Sequence, residues 1–379
     1  MSKNETIREY RFSADNANDA QVIIDRLARL GAVSAYKNYG GAGIIEEVNM
    51  EDYDKEKLAV KNAILSFASS IAGINCPETS TDMLYAMDNT SFRDIINTIT
   101  ARSIATMMVT YKAPQLERLT EIEDINAGES RTYEIDTKSL PIAQPATYIS
   151  NVTLVPSYAK SSITLSPKVY TLGISLDYIR VIANGYDWGY AIARVYAGMI
   201  TAQYKLVVGK IFDTTLLNGT PLYASSFSSS AYTQIASDVA MLNGTTIDDV
   251  MAMGTLPALN AISALATTGG YAVRDEYVRT AYLNKIYGVD TMILSQFTNL
   301  SAPFTNANAS SLRAIPNNLI VFVPTNGDKI CKLVRENYIR VVEIPANENT
   351  LNRNEYSYFQ AFDADIATAS YFGLMSTSA

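Results

Sequence analysis

At 379 residues with a formal net charge of −8 and a pI near 4.8, the chain is long enough for two or three compact units with an ample core. That acidic balance argues against a surface built mainly to grip nucleic acid, although it leaves room for a local basic patch. The sequence has no histidine and only two cysteines, Cys76 and Cys331, far apart and in no CxxC pair; this removes the commonest general base and transition-metal ligand and leaves a zinc site to be built largely from carboxylates, which is not expected.

The first twenty residues, "MSKNETIREYRFSADNANDA", are charged and polar and do not read as a secretory signal. Without one, N-x-S/T triplets such as Asn151–Thr153 and Asn218–Thr220 are expected by chance in an Asn- and Thr-rich chain; the two cysteines could form one disulfide, but two buried thiols in a reducing compartment are the expectation. A helix is predicted over Asn18–Leu30, with Val22, Ile23, Leu27 and Leu30 on one face and Gly31 as its stop. "YGGAG" at Tyr39–Gly43 reads as a break; no Lys-Ser/Thr follows to make it a phosphate loop. A second helix is predicted over Asp52–Ala72, turning Leu58, Ile64, Phe67, Ala68 and Ile71 toward a core. Phe92–Val109 is apolar and reads as helix turning into strand.

From Glu117 to Leu176 the texture is that of strands. "SRTYEIDTK" puts Tyr133 and Ile135 on one face, and "ATYISNVTLVPS" alternates through Tyr148, Val152 and Leu154. "SSITLSPKVYTLGISL" sets Ile163 with Leu165, then Tyr170, Leu172 and Ile174. A hairpin of this kind has little surface of its own to bury and is marginal alone, so it needs a partner outside itself. A short helix, "SLDYIRVIANG", is expected next. Asn184–Asp213 then reads as one helix of about 27 residues, roughly 40 Å at 1.5 Å per residue. Trp188, Ile192, Val195, Met199, Ala202 and Leu206 mark one face, and further apolar residues widen it until little polar surface is left, so most of its length should be covered.

Beyond it come a loose Ser-rich connection, "YASSFSSSAYTQ", and a mixed α/β region over Thr245–Arg335. There "DDVMAMGTLPALNAISAL" and "YAVRDEYVRTAYLNKIYG" read as helical, and "DTMILSQ" and "NNLIVFVPT" as short buried strands. The C-terminus returns to strands: "YIRVVEIP", the turn "ANENTLNRNE", and one long closing strand, "YSYFQAFDADIATASYFGLMS". No uninterrupted apolar run of membrane-spanning length occurs, so no membrane partner is expected.

No catalytic constellation emerges. Glu46-Glu47, Glu121/Glu123/Asp124 and Asp248-Asp249 pair carboxylates, but beside expected helix starts or loops, where solvated acids are ordinary. Lys160 beside Ser161-Ser162 is the nearest Ser-Lys match, on a hairpin edge without a nucleophile elbow. The 25 tyrosines could serve a sugar platform, yet their spread along the whole chain favours wet protein interfaces.

The order of parts resembles the major capsid proteins of tailed double-stranded DNA bacteriophages, the Hong Kong 97-like fold. Two stretches carry the resemblance: "LSPKVYTLGISLDYIRVIANGYDWGYAIARVYAGMITAQYKLVVGKIFDTTLLNGT", Leu165–Thr220, and the ending "RNEYSYFQAFDADIATASYFGLM". It implies an α+β capsid fold with an N-terminal arm, an extended β-hairpin loop, a long spine helix in a peripheral domain, and an axial domain. Residues 1–91 would hold the arm and its helices, and 92–115 the first part of the peripheral domain. The extended loop would take 116–172, the spine region of the peripheral domain 173–222, the axial domain 223–334, and the return strands 335–379. The implied function is structural and not enzymatic: self-assembly into hexamers and pentamers forming an icosahedral shell, with no catalytic, cofactor or metal residues. Implied partners are other copies of the chain, portal and scaffold or decoration proteins, and packaged double-stranded DNA touched without sequence specificity, with Lys3, Arg8 and Arg11 as arm candidates. The implied location is the virion capsid, assembled in the host cytoplasm. Some members cross-link subunits; Lys138, Lys160, Asn352 and Asp363 are the conceivable players here, and cross-linking is not expected. The axial stretch Leu300–Asn318 carries only Arg313, which suits a symmetric contact where like charges would crowd. An encapsulin-like nanocompartment shell of the same fold is the alternative, and a carbohydrate-binding adhesin or a hydrolase are readings from other classes.

Overall fold

The computed structural model describes residues 12–40, 44–136, 160–177, 187–266, 282–296, 313–344 and 353–377. The arm residues Lys3, Arg8 and Arg11, the strand expected at "ATYISNVTLVPS", most of the short helix expected at "SLDYIRVIANG", the first part of "YAVRDEYVRTAYLNKIYG" and the turn before the closing strand lie outside these residues.

Helix α1 runs Ala14–Tyr39, well past the expected stop at Gly31. The glycine is there for approach. A Cβ on Gly31 would stand 2.9 Å from Ile192, and one on Gly189 would stand 2.8 Å from the Leu30 side chain and 3.1 Å from its carbonyl oxygen. Each helix therefore offers a glycine to the other's bulk, and α1 packs closely on the long helix α6, Trp188–Ile211. Gly189→Ala is expected to cost about 1–3 kcal/mol, the usual penalty of overpacking where backbone must shift; an unchanged urea midpoint would contradict the close crossing.

Helix α2 (Tyr53–Ala72) is capped by the Asp52 side chain and stopped by Gly73 in the left-handed region, φ 68°. Ile64 and Ala68 are buried as expected, but Leu58 is 47% exposed. α3 (Ser80–Asp88), which the sequence reading did not foresee, starts at a capping box between Thr79 and Asp82. α4 (Thr90–Thr110) stays helical to its end. Its later part was expected to turn into strand, but Ile95, Ile96, Ile99 and Ile104 are all buried in the core among α1, α2 and α6, and packing overrides the low helix propensity of these β-branched residues. α5 (Pro114–Leu119) then leads into the first strand, β1 (Thr120–Ile125).

The long helix is 24 residues, about 36 Å. Asp187 caps it by accepting from the Tyr190 N–H at 3.0 Å, so the helix starts at Trp188, inside the stretch read as helix. Its buried residues include Trp188, Tyr196, Tyr204 and Ile211, and it lies across one face of a five-stranded sheet. That sheet is ordered β1-β10-β12-β11, with β4 on the other side of β12. Here β4 is Lys168–Asp177, β10 is Cys331–Glu336, β11 is Arg340–Ile344 and β12 is Arg353–Ile366. Tyr170 of β4 stacks on Phe362 of β12 at 3.9 Å between centroids, under the helix.

A six-stranded sheet, β5-β13-β9-β6-β8-β7, forms a second unit with its own core. β5 is Tyr223–Ala224, β6 Val250–Gly254, β7 Lys285–Ile286, β8 Val289–Ile293, β9 Leu319–Pro324 and β13 Gly373–Ser376. The expected strands around "DTMILSQ" and "NNLIVFVPT" are β8 and β9. Two expectations fail here. The Ser-rich connection contains helix α7 (Ser229–Asn243), for which Ser228 is the cap. The "VMAMG" half of an expected helix is β6, a central strand between β8 and β9 whose buried surroundings erase alternation; only Leu256–Ala266 (α8) is helix. The closing strand is also two strands: β12 ends at Ile366 in the first sheet and β13 pairs antiparallel with β9 in the second, so the C-terminal segment ties both sheets together.

Candidate assembly surfaces

The segment expected as a projecting hairpin, 116–172, is narrower at both ends. Thr120–Ile125 pairs in parallel with β10, and β4 pairs with β12 from Lys168 onward, so both belong to the sheet. Between them β2 (Arg131–Asp136) and β3 (Lys160–Leu165) form a separate two-stranded ribbon in antiparallel register, Arg131 opposite Leu165 and Asp136 opposite Lys160. Burial fades along it. Leu165 is buried, Tyr133 and Ile163 are half-buried, and Ser161 and Ser162 are exposed.

The root is stitched by several contacts. Tyr133 packs against Ile125, Leu165 and Val334, and its hydroxyl donates to Glu123 Oε2 at 2.8 Å. Burial, then the Glu123 carboxylate, push this phenol well above its ordinary value, so it stays a donor. Arg131 pairs with Glu123 at 3.0 Å. Thr132 and Thr164 hydroxyls meet at 2.9 Å on the opposite face. Gly128, with φ 82°, turns the chain from β1 into the ribbon, and its N–H donates to Glu336 Oε1 at 2.8 Å. Tyr133→Phe removes one charge-assisted bond and is expected to cost about 1–2 kcal/mol. It should raise amide exchange in β2 before that in α6; uniform exchange would mean the root is held by packing alone.

The parallel β1–β10 pair beneath the ribbon carries the acids read as solvated. Glu121, Glu123 and Asp124 stand on a strand, not beside a helix start or loop. Glu121 and Asp328 both pair with Lys332, whose side chain is 5% exposed. Asp124 pairs with Arg335, which also donates to the Met108 carbonyl at 2.9 Å. These acids neutralise buried cations.

The other sequence candidates are not brought together. Glu47 accepts from Asn49, Asp248 pairs with Lys285 at 3.1 Å, and Asp249 caps Thr246 and accepts from Asn326. Lys160, Ser161 and Ser162 lie in sequence on β3 opposite Asp136, Ile135 and Glu134. Asp363 is on β12, while Lys138 and Asn352 lie outside the described residues. Cys331 is buried, its thiol pushed up to about 12 by burial, but Cys76 is exposed, contrary to the expectation of two buried thiols. Several tyrosines are core residues rather than interface residues: Tyr196, Tyr204, Tyr232 and Tyr358 are buried. Among the described residues no group of three or more Cys, Asp or Glu could hold a metal ion, and no helix is long and apolar enough to cross a membrane.

A groove of about 710 Å³ runs along the outer side of α6 beside β4. Sequence reasoning missed it, although the small residues Gly198, Ala202 and Gly209 were visible in the helix.

No protein-family model matches the chain, and no curated protein does. Among solved structures it is similar to the capsid of a native GTA particle, with 10% identity over 70% of this chain and 90% of that one and a TM-score of 0.46. It is similar to a structure from Mycobacterium phage Che8, with 14% identity over 69% and 90% of the two chains and a TM-score of 0.44. It is also similar to the virus-like particle from Pyrococcus furiosus, with 8% identity over 73% and 98% and a TM-score of 0.38.

Proposed function

We propose that the chain is a structural shell subunit, a major capsid protein of Hong Kong 97-like type that assembles with copies of itself into hexamers and pentamers around packaged viral double-stranded DNA. The observation that carries this reading is the β2–β3 ribbon. It leaves the body with one leucine buried at its root and only Tyr133, Ile135 and Ile163 half-buried, and 23 residues, 137–159, continue between its strands. A ribbon with so little of its own to bury is stabilised by a neighbour. Helix α6 and the five-stranded sheet form the peripheral domain in this reading, and the six-stranded unit the axial domain. Portal, scaffold or decoration proteins are its further partners, and the virion, assembled in host cytoplasm, its location. The chain acts as wall material and not as a catalyst.

Electron microscopy of the purified, concentrated protein tests this. Closed particles of uniform diameter with five- and sixfold vertices are expected; a monodisperse monomer overturns the reading. Particles that enclose a protein cargo instead of DNA identify a nanocompartment shell. Unassembled subunits should hold DNA weakly in filter binding, with affinity falling steeply as salt rises. Tight, sequence-selective binding at physiological salt would contradict a container.

A further inference from the structure

Among the described residues the chain passes between its two units three times, through 212–222, 325–330 and 367–372. An Asn-Gly pair stands at each crossing. Asn218-Gly219 lies in the first and Asn326-Gly327 in the second, and Asn243-Gly244, at the end of α7, is bonded to the third. Asn-Gly is the dipeptide most prone to spontaneous deamidation, because a following residue without a side chain leaves its backbone nitrogen room to reach the asparagine Cγ. What holds the amide and that nitrogen decides whether a given pair reacts and what the reaction undoes.

The three pairs differ in this. Asn243 accepts from the Tyr371 N–H at 2.9 Å and donates to the Tyr371 and Val239 carbonyls, each at 2.8 Å. The Gly244 N–H is engaged with the Met241 carbonyl at 3.1 Å. Both reacting groups are held, so Asn243 is protected. Asn218 is exposed in a turn closed by the Thr220 N–H on the Leu217 carbonyl at 3.0 Å, and its side chain bonds to nothing among the described residues, so its conversion disturbs nothing. Asn326 is exposed on a bend outside helix and strand, and the N–H of Gly327, φ 117°, makes no hydrogen bond among the described residues.

Asn326 also holds something. Its Nδ2 donates to Asp249 Oδ1 at 2.7 Å. The other Asp249 oxygen accepts from the Thr246 hydroxyl at 2.8 Å, and the Asp249 carbonyl accepts from the Thr325 N–H at 2.7 Å and the Thr325 hydroxyl at 3.0 Å. Asp249, at the entrance to β6, is thus the post to which the second crossing is tied. The third crossing lies against the same bend, where a Cβ on Gly327 would stand 3.6 Å from Ser370 Oγ. A carboxylate at 326 cannot donate to Asp249, and it sets two like charges at hydrogen-bonding distance.

We propose that Asn326 is a deamidation site, and that its conversion releases the 325–330 crossing from Asp249 and loosens the joint between the two units. The Gly327 nitrogen attacks Asn326 Cγ and gives up its proton. The bond from Cγ to the side-chain nitrogen breaks, ammonia leaves, and a five-membered succinimide remains. Water adds to one of its two carbonyls and opens the ring to aspartate or isoaspartate. The net change is amide plus water to acid plus ammonia, with no change of oxidation state. Isoaspartate also routes the backbone through the side chain and lengthens the crossing by a methylene.

The full chain is incubated at physiological temperature and mildly alkaline pH over days, digested, and each Asn-Gly peptide is read by mass spectrometry. Aspartate and isoaspartate are expected at Asn326 while Asn243 stays an amide. Asn326→Asp mimics one product, and should lower the melting temperature by about 2–4 °C at low salt and by less as salt screens the two carboxylates. Adding Asp249→Asn exchanges donor and acceptor and should restore the wild-type value, since the new amide at 249 donates to 326 and still accepts from Thr246. If Asn326 stays an amide in the folded chain while the denatured chain converts there, or if Asn243 converts as fast, the site is overturned. An Asn326→Asp chain that melts with the wild type, or that Asp249→Asn does not restore, overturns the tie to Asp249.

Discussion

A chain in which residues 137–159 are replaced by Asn-Gly is expected to fold and to form no shells. Asp136 and Lys160 are a facing pair in the ribbon, so two residues with positive φ close it as a type I′ hairpin without moving either strand. Everything that stitches the root is retained: Tyr133 on Ile125, Leu165 and Val334, its bond to Glu123, and the Gly128 turn. The cores around α6 and α7 are untouched. Chemical denaturation should therefore shift by less than about 1 kcal/mol, the scale of a surface change away from the core. Particle yield should fall below detection if the proposed shell is held through this part of the ribbon. Normal particles from the shortened chain would mean that subunits are held elsewhere.

The sequence made some parts of this molecule legible for physical reasons and hid others. A long helix with so few polar positions announces itself, and α6 lies where it was expected except at its start, where Asp187 serves as the cap. β8 and β9 are short apolar runs bounded by turn residues, which single-sequence patterns read well. β6 is just as apolar, but it runs into α8 with only Thr255 between them, and a strand buried on both faces has no period to separate it from a helix. Gly31 was read as a stop because the partner that needs it, Ile192, is 161 residues away. Ser228 looked like linker because a cap and a loop use the same residue types. The ribbon's sparse apolar surface was legible from its composition. The pairing of its acids was not: only the fold shows that Glu121 and Asp124 face Lys332 and Arg335 across a parallel strand pair.

That strand pair carries the second large effect. Arg335 is 8% exposed at its side chain, while Asp124 is 33% exposed. Removing one partner of a buried ion pair typically costs about 3–5 kcal/mol, because the remaining charge is left in a poor solvent. The asymmetry in exposure predicts an order. Asp124→Ala strands a guanidinium that water barely reaches, with only the Met108 carbonyl to receive its bonds, and should cost about 3–4 kcal/mol. Arg335→Met keeps the apolar stem and leaves a carboxylate that water can already reach, so its cost should be about 2–3 kcal/mol, mainly from the unbonded Met108 carbonyl and lost attraction. The double variant should recover part of the loss, since no buried charge is then left alone. Denaturant unfolding of the three variants measures this, and a double-mutant cycle with no coupling would show that Asp124 and Arg335 are neighbours without holding one another. Asp124 also stands on β1 next to Glu123, which anchors Arg131 and Tyr133 of the ribbon. Asp124→Ala should therefore loosen the ribbon as well as the sheet, and at temperatures where the body is still folded its particles should form in lower yield than those of Arg335→Met.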